Sequence, residues 1–367
     1  MSYINYILAF FLAFVLGAVF TYLVKKIAAK KNIVDRPEIH PERKIQKTPV
    51  PLLGGLAIFF AFFLTVFIFK NQIVTDYILP KYLWGLLIGS FILMLGGFLD
   101  DKYDWPAKKQ IIWPVLAVII AIGAGIGVKY ITNPLGGVIW LDSLKFNIIT
   151  LGGTPYYLTL FADLFALVWL LGMMYTTKFL DGLDGLVSGI TVIGSVVIFF
   201  MSISQDVQQP ATALMSLILG GAALGFLIFN FHPAKIFLGE GGSLFCGFML
   251  GLLSIISGGK IATALLIMGI PILDVVWVIF RRALLEKKSP FKTADKKHLH
   301  FRLLDVGFSH RGAVLFLYAI TIIFGSTTLF FQGFGKLVSL VVLAFVMVAL
   351  GLVLVLLYRK KTGHYNN

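Results

Sequence analysis

The chain has 367 residues, of which 59% are hydrophobic and only 13% are charged, and its formal net charge is +14. Soluble domains contain about 45–50% apolar and about 25% charged residues, so this composition excludes a water-soluble globule and a disordered chain. A single cysteine, Cys246, also excludes a small disulfide-stabilised scaffold. The composition therefore predicts a polytopic helical membrane protein.

Eleven apolar runs are candidates for membrane-spanning helices, which need about 20 apolar residues each. In chain order they are approximately 3–24, 52–69, 82–99, 111–128, 158–177, 185–203, 211–230, 244–256, 261–280, 313–331 and 337–357. We predict an all-α polytopic fold of about eleven transmembrane helices, in one integral-membrane domain over residues 1–367. The first run is interpreted as a span, since no Lys or Arg precedes it and no small-residue cleavage site follows it.

Charge asymmetry predicts the orientation of these spans. If 25–51 is cytoplasmic and the spans alternate, 25 of the 31 Lys and Arg residues fall inside and 6 fall outside. Because cytoplasmic loops are enriched in Lys and Arg, we expect the N-terminus outside and the C-terminus in the cytoplasm, in the inner (plasma) membrane. Attraction to anionic lipids explains such basic loops. It does not explain why all six histidines and 12 of the 17 acidic residues lie on the same side.

The longest outer segment, 129–157, contains two short apolar stretches. Residues 138–141 and 144–148 flank Asp142 and Ser143. This pattern predicts a β-hairpin that turns at Asp142-Ser143.

Carboxylates gather at the inner ends of three predicted spans. Asp100 and Asp101 end the third span, and adjacent carboxylates at a membrane border are costly unless they are hydrated or bind a cation. Asp181 and Asp184 belong to the sequence DGLDGL, and on a helix they would share one face. Glu240 lies in a glycine-rich turn before a span, where free backbone N–H groups suit phosphate oxygens. A solvated helix end and a structural loop are the alternatives for the first two pairs.

The inner segment 281–312 is rich in cationic groups. His298, His300 and Arg302 are candidates to bind a phosphate or a sugar, while a basic, lipid-facing loop is the alternative. A zinc site is disfavoured because no cysteine pair accompanies the histidines. Asp274 lies within the ninth apolar run, and an acidic residue there is a functional hypothesis by default.

These groups together predict metal-assisted phosphoryl transfer at the inner membrane face. Hard oxygen ligands that leave room for a diphosphate indicate Mg²⁺, with Mn²⁺ as a substitute. In such sites, positioning and charge neutralisation provide most of the catalysis. We expect the five carboxylates to converge in one diphosphate-sized cluster, formed by the loops at about 25–51, 100–110, 178–184, 231–243 and 281–312.

The motifs resemble the polyprenyl-phosphate N-acetylhexosamine-1-phosphate transferases, which include undecaprenyl-phosphate GlcNAc-1-phosphate transferases and phospho-MurNAc-pentapeptide translocases. The shared motifs are Asp35-Arg36-Pro37, Arg43-Lys44-Ile45, Leu53-Gly54-Gly55, Asp100-Asp101, DGLDGL at 181–186, HPAKIF at 232–237, Pro271-Ile272-Leu273-Asp274 with Arg281-Arg282, and the loop from His298 to His300. The sequences HLHxRLL (298–304) and GFSHR (307–311) are typical of the GlcNAc branch.

This resemblance implies a reaction and a set of roles. UDP-GlcNAc and polyprenyl phosphate would give polyprenyl-diphosphate-GlcNAc and UMP, which initiates a cell-envelope polysaccharide. The implied catalytic residues are Asp100, Asp101, Asp181 and Asp184. The implied Mg²⁺ ligands are Glu240 and Asp184, and the implied substrate-binding residues are Lys44, Lys178, His298, His300 and Arg302. The expected partners are a UDP-N-acetylhexosamine, polyprenyl phosphate and membrane lipids, with no nucleic acid and with a homodimer as an option.

The chain departs from the usual pattern of this family at several positions. Gln46 replaces a histidine, Leu52 an arginine, Lys178 an asparagine, Glu240 an aspartate, Gly241 a threonine and Phe301 a histidine. Lys178 adds a cation near the metal, where it would bind diphosphate or displace the metal, and Glu240 would pair with it when the site is empty. Two alternatives stay open: another donor, such as a different UDP-N-acetylhexosamine or UDP-MurNAc-pentapeptide, and a non-catalytic lipid-phosphate-binding or transport protein.

Overall fold

The fold is known from a computed structural model that describes residues 2–39, 46, 48–75, 77–133, 136–151, 154–257, 261–285 and 298–363. The helices are α1 (Tyr3–Lys30), α2 (Gly54–Ile68), α3 (Lys70–Ile73), α4 (Pro80–Tyr103), α5 (Ala107–Gln110), α6 (Ile112–Gly123), α7 (Leu160–Leu180), α8 (Leu186–Ile203), α9 (Pro210–Asn230), α10 (Glu240–Ile256), α11 (Ile261–Ile267), α12 (Gly269–Phe280), α13 (Leu299–Val306), α14 (His310–Phe330) and α15 (Phe334–Gly363). A short 3₁₀ helix covers Pro37–Ile39, and a π-helical turn, Arg281–Leu285, continues α12.

The chain is a mostly helical, multi-pass membrane protein, as predicted. Within the described ranges, seven helices are long and apolar enough to cross a membrane: α1, α4, α7, α8, α9, α14 and α15. An eighth candidate is the pair α11 and α12, which meet at a 78° bend. Each of the other predicted spans contains a shorter helix, namely α2, α6 or α10.

The bend between α11 and α12 interrupts a run that we predict as one continuous span. Met268 separates the two helices, and Pro271 lies in the first turn of α12. A proline has no backbone N–H to donate to the preceding turn, and its ring clashes with the carbonyl four residues earlier. The ninth span is therefore broken into two segments.

In the described part of the chain, three two-stranded antiparallel sheets accompany the helices, so the all-α prediction is too strict. The pairs are β1 (Val34–Asp35) with β2 (Val50–Pro51), β3 (Tyr130–Thr132) with β4 (Val138–Trp140), and β5 (Lys145–Leu151) with β6 (Thr154–Thr159).

The predicted hairpin between 138–141 and 144–148 is wrong. Strand β4 pairs with the preceding strand β3, with Tyr130 opposite Trp140, and β5 pairs with the following strand β6. Gly136 and Gly137, which precede β4, both have a positive φ. Tight hairpin turns require such backbone conformations, and these glycines adopt them between β3 and β4.

Helix α10 lies at the centre of the helical bundle and sets the position of the site. Every residue from Gly241 to Ile255 is buried. At its first turn, Gly97 of α4 and Gly55 of α2 approach so closely that a Cβ on either would lie 2.1–2.2 Å from backbone atoms of Gly241 or Gly242. Only glycine permits these contacts. They bring the C-terminal end of α4 against the start of α10.

Candidate active site

The first turn of α10 and the last turn of α4 share a hydrogen bond. The backbone N–H of Glu240 donates to Asp101 Oδ1 at 3.0 Å. Asp101 therefore accepts from one of the N–H groups that every helix start leaves without an intrahelical partner. From the sequence we predict that such N–H groups bind phosphate oxygens. At Glu240, however, the N–H donates to the Asp101 carboxylate.

A lysine connects the two acidic helix ends. Lys178, in the last turn of α7, forms a short hydrogen-bonded ion pair with Glu240, and its ammonium also donates to Gln110 Oε1 at 2.8 Å. Gln110 Nε2 donates in turn to Asp100 Oδ1 at 2.9 Å and to the Trp105 carbonyl at 2.8 Å. Lys178 and Glu240 keep 21% and 16% of their side-chain surface exposed. We refer to Asp100, Asp101, Gln110, Lys178 and Glu240 as the lysine–carboxylate network.

Asp181 lies beside this network, in a turn and not on a helix. Helix α7 ends at Leu180 and α8 begins at Leu186, so the expectation that Asp181 and Asp184 share a helical face is wrong. The Asp181 side chain is solvent-accessible, but the surrounding protein partly desolvates its carboxyl group. This desolvation and the negative charges of Glu240 and Asp184 raise the pKa of Asp181.

Asp184 turns towards a different loop. Its Oδ2 atom lies 2.7 Å from His232 Nδ1 and accepts the backbone N–H of Ala234 at 3.0 Å. Its own backbone N–H donates to His310 Nε2 at 2.8 Å, and the rings of His232 and His310 stack at 4.0 Å. These three residues also offer metal-ligand atoms within 4.8 Å of one another. The hydrogen bonds within the group account for that proximity.

A second carboxylate is paired in the same way. Asp274, which is buried in α12, lies 2.8 Å from His298 Nδ1 and accepts the Leu299 N–H at 2.9 Å. This pairing joins the start of α13 to α12. We refer to Asp184 with His232 and to Asp274 with His298 as the two aspartate–histidine clamps.

His300 joins the loop at 181–185 to α13. It is buried, its ring stacks on that of His298 at a centroid distance of 5.7 Å, and the Phe301 ring contacts it at a tilt of 49° and a centroid distance of 4.3 Å. A Cβ on Gly182 would lie 2.3 Å from His300 Nε2, so the two segments are in close contact. Neither ring nitrogen has a hydrogen-bond partner in the described part of the chain. Burial lowers the pKa of His300 to about 3, and the ring is therefore neutral.

Arg302 lies apart from the network. Arg302 lines an apolar cavity of about 380 Å³ between α12, α13 and α15, together with Leu273, Trp277 and Phe280. Lys44 falls outside the described residues.

The structure thus brings Asp100, Asp101, Lys178 and Glu240 into one network, with Asp181 beside it. Asp184, His298 and His300 lie in adjoining contacts. The sequence interpretation missed Gln110, because a single glutamine before an apolar run carries no distinguishing pattern. It also gave no role to His232 and His310, although both belong to motifs that it identifies.

The network lies within a segment that matches known proteins. Residues 83–258 match the family described as glycosyl transferase family 4. A Bacillus subtilis protein named "Probable undecaprenyl-phosphate N-acetylglucosaminyl 1-phosphate transferase" is 33% identical over 88% of this chain and 83% of its own length. The "Decaprenyl-phosphate N-acetylglucosaminephosphotransferase" of Mycobacterium tuberculosis is 31% identical over 82% of this chain and 77% of its own. The Escherichia coli "Undecaprenyl-phosphate alpha-N-acetylglucosaminyl 1-phosphate transferase" is 27% identical over 83% and 78%.

Proposed function

The chain belongs to glycosyl transferase family 4, and we propose that it transfers N-acetylglucosamine 1-phosphate from UDP-GlcNAc to polyprenyl phosphate. The products are polyprenyl-diphosphate-GlcNAc and UMP, and the lipid product would initiate a cell-envelope polysaccharide. The lysine–carboxylate network carries this proposal, since it places charged groups from α4, α7 and α10 at one point within the matched segment.

The reaction forms one phosphorus–oxygen bond and breaks another. An oxygen of the acceptor phosphate attacks the phosphorus that bears the sugar, and the bond from that phosphorus to the bridging oxygen breaks, so that UMP leaves. The transferred group carries negative charge throughout, so catalysis depends mainly on positioning and charge neutralisation. In this chain, Lys178 supplies a cation at the network, and Asp100 and Gln110 hold its surroundings in place.

We propose Mg²⁺, with Mn²⁺ as a substitute, as the metal of this site. Asp101, Asp181 and Glu240 offer the hard oxygen donors that Mg²⁺ prefers, and the ammonium of Lys178 shows that the network accommodates a cation. A bound Mg²⁺ would neutralise charge on the diphosphate. Asp184 is held by His232 and Ala234, so we assign it to positioning the loop at 232–234 and not to the metal.

The apolar cavity supports the choice of a lipid acceptor. Leu273, Trp277 and Phe280 line it, and Asp274 and Arg302 provide charged groups in its wall. An apolar chain with a phosphate at one end matches this combination of surfaces. We propose that the cavity receives part of the polyprenyl chain.

We propose eleven spans, with the N-terminus outside, the C-terminus in the cytoplasm, and the active site on the cytoplasmic face of the inner membrane. The charge distribution supports this topology. The proposed topology places the C-terminal ends of α4 and α7 in the cytoplasm, and the network lies at these two helix ends. Single cysteines at Lys102 and Lys145 test the topology in a Cys246→Ala background. A membrane-impermeant thiol reagent should label only the cysteine at 145 in intact cells. Labelling at 102 from outside would reject this orientation.

Transfer itself is tested with the purified full chain, radiolabelled UDP-GlcNAc and undecaprenyl phosphate, with and without Mg²⁺. We expect Mg²⁺-dependent release of UMP and a labelled lipid product. Asp142→Asn is the control, because Asp142 pairs with Lys145 in the β-hairpin region and not with the network. Transfer from UDP-MurNAc-pentapeptide and not from UDP-GlcNAc would reject the donor assignment. Absence of transfer from every UDP-sugar tested would reject the proposal that the chain is a transferase.

A further inference from the structure

The Lys178 ammonium occupies a cation-binding site formed by side-chain oxygens of the protein. Its ammonium contacts a carboxylate oxygen of Glu240 and the amide oxygen of Gln110. Only 21% of the side-chain surface is exposed, although the residue lies at the end of a membrane helix. A lysine at such an end would ordinarily extend its ammonium into water. Here it is directed inwards to protein oxygens.

The orientation of the Gln110 amide presents an oxygen acceptor to the cation in this site. Its amide nitrogen donates to Asp100 Oδ1 and to the carbonyl of Trp105, so both of its N–H groups have acceptors. The amide oxygen must therefore face the opposite way, towards Lys178. The backbone N–H of Trp105 also donates to Asp100 Oδ1 at 3.1 Å. This bond fixes the carboxylate that orients the Gln110 amide.

The ammonium also takes an oxygen that a divalent cation would use. Glu240 accepts from Lys178 through Oε1, and Mg²⁺ or Mn²⁺ would need the carboxylate oxygens of this cluster as ligands. A metal ion and the ammonium are both positive, and they repel strongly at contact distance in a partly buried site. They cannot share Glu240 without weakening each other.

We propose that Lys178 is an internal counter-cation that competes with the divalent metal for Glu240. The inference rests on the proposed function, in which that metal serves the diphosphate. When the ammonium leaves Glu240 it remains within reach of the same site, where the negative charge of a diphosphate gives it a new partner. Metal loading in this chain is consequently weak until Lys178 is displaced.

Binding of Mn²⁺ alone tests the competition without any transfer reaction. The full chain is purified in detergent, and free Mn²⁺ is counted by electron paramagnetic resonance during a titration. Lys178→Met keeps the length of the side chain and removes its charge, and it should lower the Kd for Mn²⁺ at least tenfold. Lys178→Arg keeps the charge and should bind Mn²⁺ about as weakly as the unmodified chain.

Two further variants locate the effect. Lys102→Met removes an exposed lysine at the end of α4, whose ammonium lies 4.9 Å from the Tyr103 ring centroid, and it should leave the Kd within about twofold. Glu240→Gln in the Lys178→Met background should abolish the gain in affinity. Thermal unfolding of each variant shows whether it is folded.

The outcomes separate this inference from the proposed function. Equal Mn²⁺ affinity in Lys178→Met and the unmodified chain would overturn the competition, as would an equal gain in Lys102→Met. Absence of Mn²⁺ binding in every folded variant would overturn it as well. Tighter Mn²⁺ binding in Lys178→Met, without transfer from any UDP-sugar by the unmodified chain, would support the competition and reject the transferase.

Discussion

Carboxylate side chains serve different purposes in the lysine–carboxylate network and in the two aspartate–histidine clamps. In each clamp, an aspartate accepts from a histidine ring and from a backbone N–H within two residues of that histidine: His232 with Ala234, and His298 with Leu299. In the network, one ammonium from α7 contacts Glu240 of α10 and Gln110 of α5, and Gln110 connects it to Asp100 of α4.

This difference indicates which carboxylates are available to a substrate. Donors from a single loop hold each clamp aspartate, so Asp184 fixes that loop to the turn at 181–185 and Asp274 fixes the start of α13 to α12. The network's positive charge comes from one long, rotatable side chain, and Lys178 can move away from Glu240 when a diphosphate arrives. We therefore place charge neutralisation in the network and loop positioning in the clamps.

The largest effect is expected from Asp101→Asn. Asparagine retains an oxygen that can accept the Glu240 N–H, so the start of α10 should stay capped. The change removes one negative charge from the proposed metal site, and metal-assisted charge stabilisation is worth several kcal/mol. We expect transfer to fall by at least about 100-fold, which corresponds to about 3 kcal/mol. Steady-state kinetics of UMP release measures it, and activity within tenfold of the unmodified chain would move the metal elsewhere.

Gly182→Ala should disturb the contact between the loop at 181–185 and α13. The added Cβ would lie 2.3 Å from His300 Nε2, so the buried ring must move. Overpacking of this kind costs about 1–3 kcal/mol. We expect a lower unfolding temperature and weaker donor binding. Gly182→Ala should cost less stability in a His300→Ala background than in the unmodified chain, and an equal cost in both would show that the strain lies elsewhere.

Lys178→Asn and Glu240→Asp, with their combination, form a double-mutant cycle across the network. Because the two side chains are in direct contact, their effects on Mg²⁺-dependent transfer should be coupled by about 0.5–3 kcal/mol. The double variant should keep clearly more activity than the two single losses multiplied together. Independent effects would mean that these two departures from the family pattern do not compensate each other.

Asp274→Asn should produce the smallest of these changes. Asparagine keeps one acceptor for the Leu299 N–H but loses the charge opposite His298. Loss of such a hydrogen bond costs about 1–3 kcal/mol. We expect reduced thermal stability and a modest rise in KM, with kcat nearly unchanged. A large fall in kcat would place this clamp within the catalytic machinery.

The sequence predicts the helices because long apolar runs have few stable alternatives in a bilayer. It predicts the composition of the site for a related reason, since carboxylates and histidines at membrane borders are too costly to be incidental. The pairing of β4 was mispredicted because it depends on the backbone conformation of Gly136 and Gly137. The turn at Asp181–Gly185 separates two carboxylates that the motif presents together.

Long-range contacts account for the rest of what the sequence left open. Gln110 and Lys178 are 68 positions apart, and Asp184 and His310 are 126 apart. No local pattern specifies that these residues meet. The first pair meets because α7 packs against α6 and α10, and the second because α14 packs against α8.

The assignment of charge neutralisation to the network and of loop positioning to the clamps is tested most directly by comparing Asp101→Asn with Asp184→Asn in one transfer assay. Both changes replace an aspartate with its neutral isostere, and kcat and KM are measured for UDP-GlcNAc at saturating Mg²⁺ and undecaprenyl phosphate. We expect Asp101→Asn to lower kcat at least about 100-fold, whereas Asp184→Asn should raise KM and leave kcat within about tenfold. A loss of kcat confined to Asp184→Asn, with Asp101→Asn fully active, would contradict this assignment.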